Sequence, residues 1–204
     1  LKLPEVLTVE EIDRIIATVD RSKAEGQRNR AILETLYSCG LRVSELVNLK
    51  LSDLYFDEGF IKVEGKGNKQ RLIPISPRAI NEIKLYFTDR NQIEVKSGHE
   101  DFVFISLRRG KRLSRIMIFH MIKELAQQAS ITKNISPHTF RHSFATHLLE
   151  GGANLRAIQC MLGHESIATT EIYTHIDRNM LRSEIIEHHP RNIKYRKEKE
   201  SLFH

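Results

Sequence analysis

Apolar and polar positions divide the 204-residue chain into helical stretches interrupted once by a run of short strands. Thr8, with Glu10 and Glu11 behind it, signals a helix start, and Ile12, Ile15, Ile16 and Val19 form one apolar stripe along the helix that follows. Ile32, Leu33, Leu36 and Tyr37 mark a second helix. Gly40 is placed to end it, because glycine enters the left-handed C-cap conformation without a Cβ penalty. The chain restarts at once through Arg42-Val43-Ser44-Glu45-Leu46, with Leu46 and Leu49 turned inward.

From Leu54 the period shortens to that of extended chain. Leu54 and Phe56, then Phe60, Ile61 and Val63, then Leu72, Ile73 and Ile75 read as three strands. Asp57-Glu58-Gly59 and Gly65-Lys66-Gly67-Asn68 form the turns between them, and Pro74 and Pro77 are expected to end the sheet. Helices resume over about 79–87 and 114–129, with loops at 91–100 and 108–112. Ser136-Pro137 supplies an N-cap and a first-turn proline for a helix ending at Gly151-Gly152. Asn154 caps another that Gly163 terminates, Ser166 caps a short helix carrying Tyr173, and a last helix at about 177–187 precedes a charged tail. The predicted fold class is mainly α with a small three-stranded antiparallel sheet (α+β), in a single domain over 1–204 with no internal repeats.

Composition narrows the partners. Lys and Arg exceed Asp and Glu by 32 − 26 = +6, and the excess is spread along the chain, which suits a broad polyanionic contact better than one basic tail. No apolar run approaches the ~20 residues of a membrane helix, and no signal-peptide pattern opens the chain. Cys39 and Cys160 sit inside apolar helical patterns and read as buried, reduced thiols, so a cytoplasmic location is expected. The first residue is leucine, and an N-terminal region is expected to precede it.

Polar residues gather where helices start and stop. His138, Arg141 and His142 share one helix face, beside an apolar stripe of Phe140, Phe144 and Leu148. His138 falls in the first turn, where free N–H groups and the helix dipole favour an anion; His142 is expected to bond backbone within the core. His164 follows Leu162-Gly163 at a helix end, and Tyr173 lies in Ile172-Tyr173-Thr174-His175. Arg42 and Glu45, three apart, form either a surface ion pair or a guanidinium held in place by a carboxylate. Lys66 occupies a glycine-bounded turn.

Taken together, the Gly40–Leu46 stretch, the Gly65-Lys66-Gly67-Asn68-Lys69 turn, His138-x-x-Arg141-His142, Leu162-Gly163-His164 and Tyr173 resemble, in order and spacing, the catalytic domain of the tyrosine recombinase family. The likeness is greatest to the Xer-type bacterial members, and runs from Leu3-Pro4 to His188-His189-Pro190-Arg191. The resemblance implies a catalytic domain without the separate N-terminal DNA-clamping domain. It also implies site-specific cleavage and rejoining of duplex DNA, in chromosome dimer resolution or mobile-element integration and excision.

By the same resemblance, Tyr173 attacks a phosphodiester to give a 3′-phosphotyrosine and a free 5′-hydroxyl. Arg42, Arg141 and His164 stabilise the charge on the non-bridging oxygens, His138 is the base and Lys66 protonates the leaving oxygen. Glu45 and His142 take supporting roles, Lys69 and Arg71 contact DNA phosphates, and no metal or other cofactor is implied. The partners implied are double-stranded DNA with a specific recombination site and a homo-tetramer on paired sites. Met180, Leu181, Ile185 and Ile186 give the last helix an apolar face, at about 177–204, for a neighbouring protomer or for packing within the chain. A nucleoid-associated location follows. Three rivals are a type IB topoisomerase, a catalytically dead DNA-binding module, and a metal-binding regulator using the i, i+4 pairs His138/His142 and Cys160/His164.

Overall fold

The computed structural model describes residues 5–163 and 178–192. Eight helices and one sheet are found there: α1 (Val9–Ala17), α2 (Gly26–Cys39), α3 (Val43–Val47), β1 (Leu54–Tyr55), β2 (Phe60–Glu64), β3 (Gln70–Pro74), α4 (Pro77–Arg90), α5 (Arg115–Gln128), α6 (Pro137–Glu150), α7 (Leu155–Leu162) and α8 (Arg178–His188). The sequence-predicted helix capped by Ser166 and carrying Tyr173 lies outside the described residues, as does His164.

Local signals account for most boundaries. Thr8 and Glu11 form a reciprocal capping box, with Thr8 N–H on Glu11 Oε1 at 3.0 Å and Glu11 N–H on Thr8 Oγ1 at 3.1 Å. Ser76, Ser114 and Asn154 cap α4, α5 and α7 through their side chains. The sheet is antiparallel in the order β1-β2-β3. The sheet ends at Pro74, as expected: Pro74 pairs with Phe60 as the last residue of β3, an edge strand, where a missing N–H can face outward, and Pro77 opens α4.

Packing centres on α2. Every residue from Ala31 to Cys39 is buried, and the helix is in contact with α1, α3, α4 and α6. A helix apolar on nearly all sides is a core helix rather than a surface one. It ends at Gly40, with φ +64°, where a Cβ would overlap the ring of Phe144 on α6. Glycine is therefore required there twice over, for its backbone conformation and for the close approach of α6.

The end of the described chain is not a solvated tail. Leu181 and Ile185 of α8 are buried within the chain against β3 and α7, while Met180 is exposed. His189, Arg191 and Asn192 then run into the interior. His189 Nδ1 accepts the Arg191 N–H at 3.1 Å, which places the ring proton on Nε2, where it donates to Tyr37 O at 3.1 Å. The Tyr37 hydroxyl meets His147 Nδ1 at 2.8 Å, and Arg191 pairs with Asp13 and lies 3.4 Å from Glu34 Oε2. Residues 189–192 thus fasten α1, α2 and α6 together.

Both buried histidines have pKa values below the ordinary 6.5. Burial is the main cause in each, and for His189, pushed down to about 3, Arg191 and His147 act in the same direction. A folded-state pKa below the unfolded one means that the unfolded chain binds more protons as the pH falls. Stability should therefore fall from pH 6.5 toward 3, by up to ~1.4 kcal/mol per pH unit for His189 alone. Urea unfolding at pH 7 and pH 5 should show a loss of about 2 kcal/mol from this group, and His189→Gln should narrow the difference by that amount.

Candidate active site

The chain leaves the C-cap Gly40 and turns at once into α3, with Arg42 extended at its N-cap and Glu45 in its first turn. Glu45 Oε1 accepts the Arg42 N–H at 2.9 Å, which aims the carboxylate back toward the helix start, and leaves it 3% exposed. Three guanidiniums converge on that carboxylate. Arg71 of β3 grips it with a two-pronged fork, NH2 to Oε1 at 3.0 Å and NH1 to Oε2. Arg42 NH1 lies 3.5 Å from Oε2, and Arg141 NH1 of α6 lies 3.9 Å from Oε1.

Burial works to raise the Glu45 pKa, but the Arg71 fork, the Arg42 N–H and Arg141 outweigh it, and the net shift is downward. The carboxylate is ionised at neutral pH, and each arginine near it has an anion to face. Arg141 is held further by carbonyls, NH1 donating to Gly40 O at 2.8 Å and NH2 to Leu162 O at 2.6 Å. Arg71 Nε donates to Met161 O at 2.9 Å. Met161 and Leu162 are the last residues of α7, so two cations satisfy helix-end carbonyls that would otherwise lack partners. Burial first, and then Arg42, bring the Arg141 pKa down to about 10, still protonated at pH 7.

Three cations against one carboxylate leave a local surplus of positive charge, and the N-terminus of α6 adds its dipole. Of the three, Arg42 reaches solvent, with 41% of its side chain exposed against 6% for Arg71 and 8% for Arg141. His138, the second residue of α6, is exposed beside them. Its pKa is lowered, by partial burial first and then by Arg141, His142 and Arg42. A neutral imidazole in the field of two guanidiniums can take up a proton from a group bound there.

Arg42, Glu45 and Arg141 are thus brought together, with His138 in their field. Lys66 and Lys69 stand exposed in the β2–β3 connection, where Gly67 at φ +72° and Asn68 at φ +58° form the turn. His164 and Tyr173 lie outside the described residues. His142 is half-buried and makes no hydrogen bond to backbone among the described residues; the bonded core histidine of α6 is His147, five residues on. Arg71, expected to face DNA, is inside. Strand parity held that signal: Arg71 lies two residues before the buried Ile73 and opposite the buried Val63, which puts all three on the core face. Among the described residues no group of three or more His, Cys, Asp or Glu side chains is placed to hold a metal ion.

A model of the phage integrase family matches residues 5–180. The tyrosine recombinase XerD of Staphylococcus saprophyticus is 47% identical over 191 residues, 93% of this chain and 64% of that protein. A crystal structure of XerA recombinase is similar with a TM-score of 0.72 at 37% identity, over 93% of this chain and 65% of that one. XerH site-specific recombinase, in a crystal structure of a pre-cleavage complex bound to difH substrate, is similar with a TM-score of 0.71 at 29% identity, over 85% of this chain and 51% of that one. The chain spans about 64% of the length of its curated XerD relative.

Removing the shared carboxylate should be costly, because it leaves Arg71 buried without an anion. Glu45→Gln should lower the unfolding free energy by about 3 kcal/mol or more, measured by urea titration. The double variant Glu45→Gln/Arg71→Met should recover part of that loss, since the uncompensated cation leaves with its partner.

Proposed function

The chain belongs to the phage integrase family of tyrosine recombinases, and from that premise we propose that it cleaves and rejoins duplex DNA at a specific recombination site through a 3′-phosphotyrosine. One observation carries the reading. Two guanidiniums with opposite degrees of exposure, Arg42 and Arg141, are held on one buried carboxylate in the first turn of α3, and the N-terminus of α6 presents a neutral histidine beside them. That arrangement suits a phosphate that gains negative charge during reaction.

In this mechanism the Tyr173 oxygen attacks the scissile phosphorus, a P–O(Tyr) bond forms and the P–O5′ bond breaks. His138 takes the phenol proton and Lys66 delivers one to the departing 5′-oxygen. Arg42 and Arg141 donate to the non-bridging oxygens, which become more negative in the pentavalent transition state, and His164 adds a third donor. Glu45 keeps Arg42 and Arg141 in register, and His142, one turn along α6, supports His138. A 5′-hydroxyl from a partner strand then attacks the phosphotyrosine and releases Tyr173. The bond energy is conserved in the covalent intermediate, so the cycle needs no nucleotide triphosphate.

Lys69, exposed in the hairpin beside Lys66, contacts the DNA backbone. The working unit is a homo-tetramer on paired sites, acting on the nucleoid in the cytoplasm. In the longer protein an N-terminal domain clamps the opposite face of the duplex. The likeness to the tyrosine recombinase XerD supports site-specific recombination, and the task served is chromosome dimer resolution or mobile-element transfer.

The test is a nicked duplex that traps the covalent complex, carrying a site selected by the protein from a random-sequence pool. Wild type should give an adduct stable in SDS, and Tyr173→Phe should give none. Arg42→Ala and Arg141→Ala should each slow single-turnover cleavage by about 10²–10³-fold. An adduct from Tyr173→Phe would remove Tyr173 as the nucleophile, and none from wild type with any selected duplex would sink the enzyme reading.

A further inference from the structure

We propose that Arg71 is a positioning residue for strand cleavage, holding Glu45 in the orientation that sets the Arg42–Arg141 pair on the scissile phosphate. The proposal rests on the recombinase reading of the site and deepens it. Its geometric basis is that every nitrogen of the Arg71 guanidinium is committed inside the protein: Nε to Met161 O, NH1 to Glu45 Oε2 and NH2 to Glu45 Oε1. Three of its five N–H groups are used in these bonds, and with 6% of its side chain exposed the guanidinium faces the interior rather than the DNA surface.

The contacts join three parts of the site. Arg71 belongs to β3, the strand that leaves the hairpin bearing Lys66. Its fork holds the carboxylate of α3, and its Nε holds the C-terminal turn of α7. Arg141 is bonded one residue further along, at Leu162 O, so the two guanidiniums are in fixed register on the same helix end. Gly163 makes room for this: a Cβ there would lie 3.1 Å from the Cζ, Nε and NH1 of Arg71. Lysine, with one nitrogen, cannot make these three bonds at once.

Chemically, the fork has a second consequence. The charged groups facing Glu45 among the described residues are Arg42 from the start of α3, Arg71 from β3 and Arg141 from α6. Only Arg71 makes short, paired side-chain bonds to it. Without them burial drives the carboxyl toward its neutral form, which no longer orients Arg42 and Arg141. Loss of Arg71 therefore weakens the phosphate clamp without touching the DNA surface, and most strongly at low pH.

The experiment compares wild type, Arg71→Lys and Arg71→Gln on the selected nicked duplex. It records affinity against salt, single-turnover cleavage at saturating DNA, and the pH profile of that rate. Affinity and salt slope should be unchanged within about two-fold in both variants, while Arg71→Gln cleaves at least ~100-fold more slowly. Its acid limb should move to higher pH, and Arg71→Lys, which keeps the charge, should bring the limb back without restoring the full rate. Should Arg71→Gln fail to fold, the lysine variant alone decides, through a ten-fold or greater slowing at unchanged affinity. A weakened affinity with a salt slope smaller by about one and an unchanged saturating rate would overturn the proposal in favour of a phosphate contact. Unchanged rates and pH profiles would overturn it outright. No adduct from wild type would instead remove the recombinase reading on which it rests.

Discussion

A carboxylate taken out of water must be given cations and hydrogen bonds, or it takes up a proton. Glu45 is that carboxylate, and much of the site's construction follows from keeping it ionised. Its position three residues after Arg42 gives it one backbone bond at a helix start. The strongest compensation comes from Arg71, and Arg71 reaches it only because β3 turns that side chain to the core face. Arg141 must then approach from α6, which requires α6 to lie close against the end of α2. Gly40 permits this approach and offers its carbonyl to the same guanidinium.

A second buried charge cluster, around Glu34, differs in how well it is satisfied. Glu34 is fully buried between Arg78 and Arg191, each at 3.4 Å, yet neither carboxylate oxygen has a hydrogen bond among the described residues. Around Glu45 the carboxylate is gripped by paired N–H groups with little freedom to reorient. Directional bonds of this kind specify where a guanidinium points, whereas loose ion pairing mainly neutralises charge. The Glu34 cluster serves to seat Arg191 on α1 and α2; the Glu45 cluster serves to aim Arg42 and Arg141.

Several features were readable from local pattern. The Thr8 capping box, the Gly40 and Gly163 C-caps, the Asn154 N-cap and the three strands all depend on residues within a few positions of one another. Arg42, Glu45, His138 and Arg141 were legible as a set because their spacing in the chain is distinctive. The identity of the bonded histidine on α6 was not, since His142 and His147 look alike until Tyr37 is placed beside one of them. The first residues of the expected charged tail, His189 and Arg191, were misplaced for a similar reason, while residues 193–204 lie outside the described residues. His189 and Arg191 are polar by composition, but Tyr37, Asp13 and Glu34 supply partners from helices far away in sequence.

The sequence by itself determined the mainly helical class, the single small sheet, the turn that exposes Lys66, and the family, because capping, periodicity and glycine placement are short-range properties of the chain. The tertiary structure decided which of the basic residues face inward. Arg71 and Lys69 differ little in composition or neighbourhood, yet one braces a buried carboxylate and the other stands in solvent. The side-chain period of a strand sets the face, but a guanidinium can stay on the core face only where Glu45 and the end of α7 have been folded against it to meet its charge.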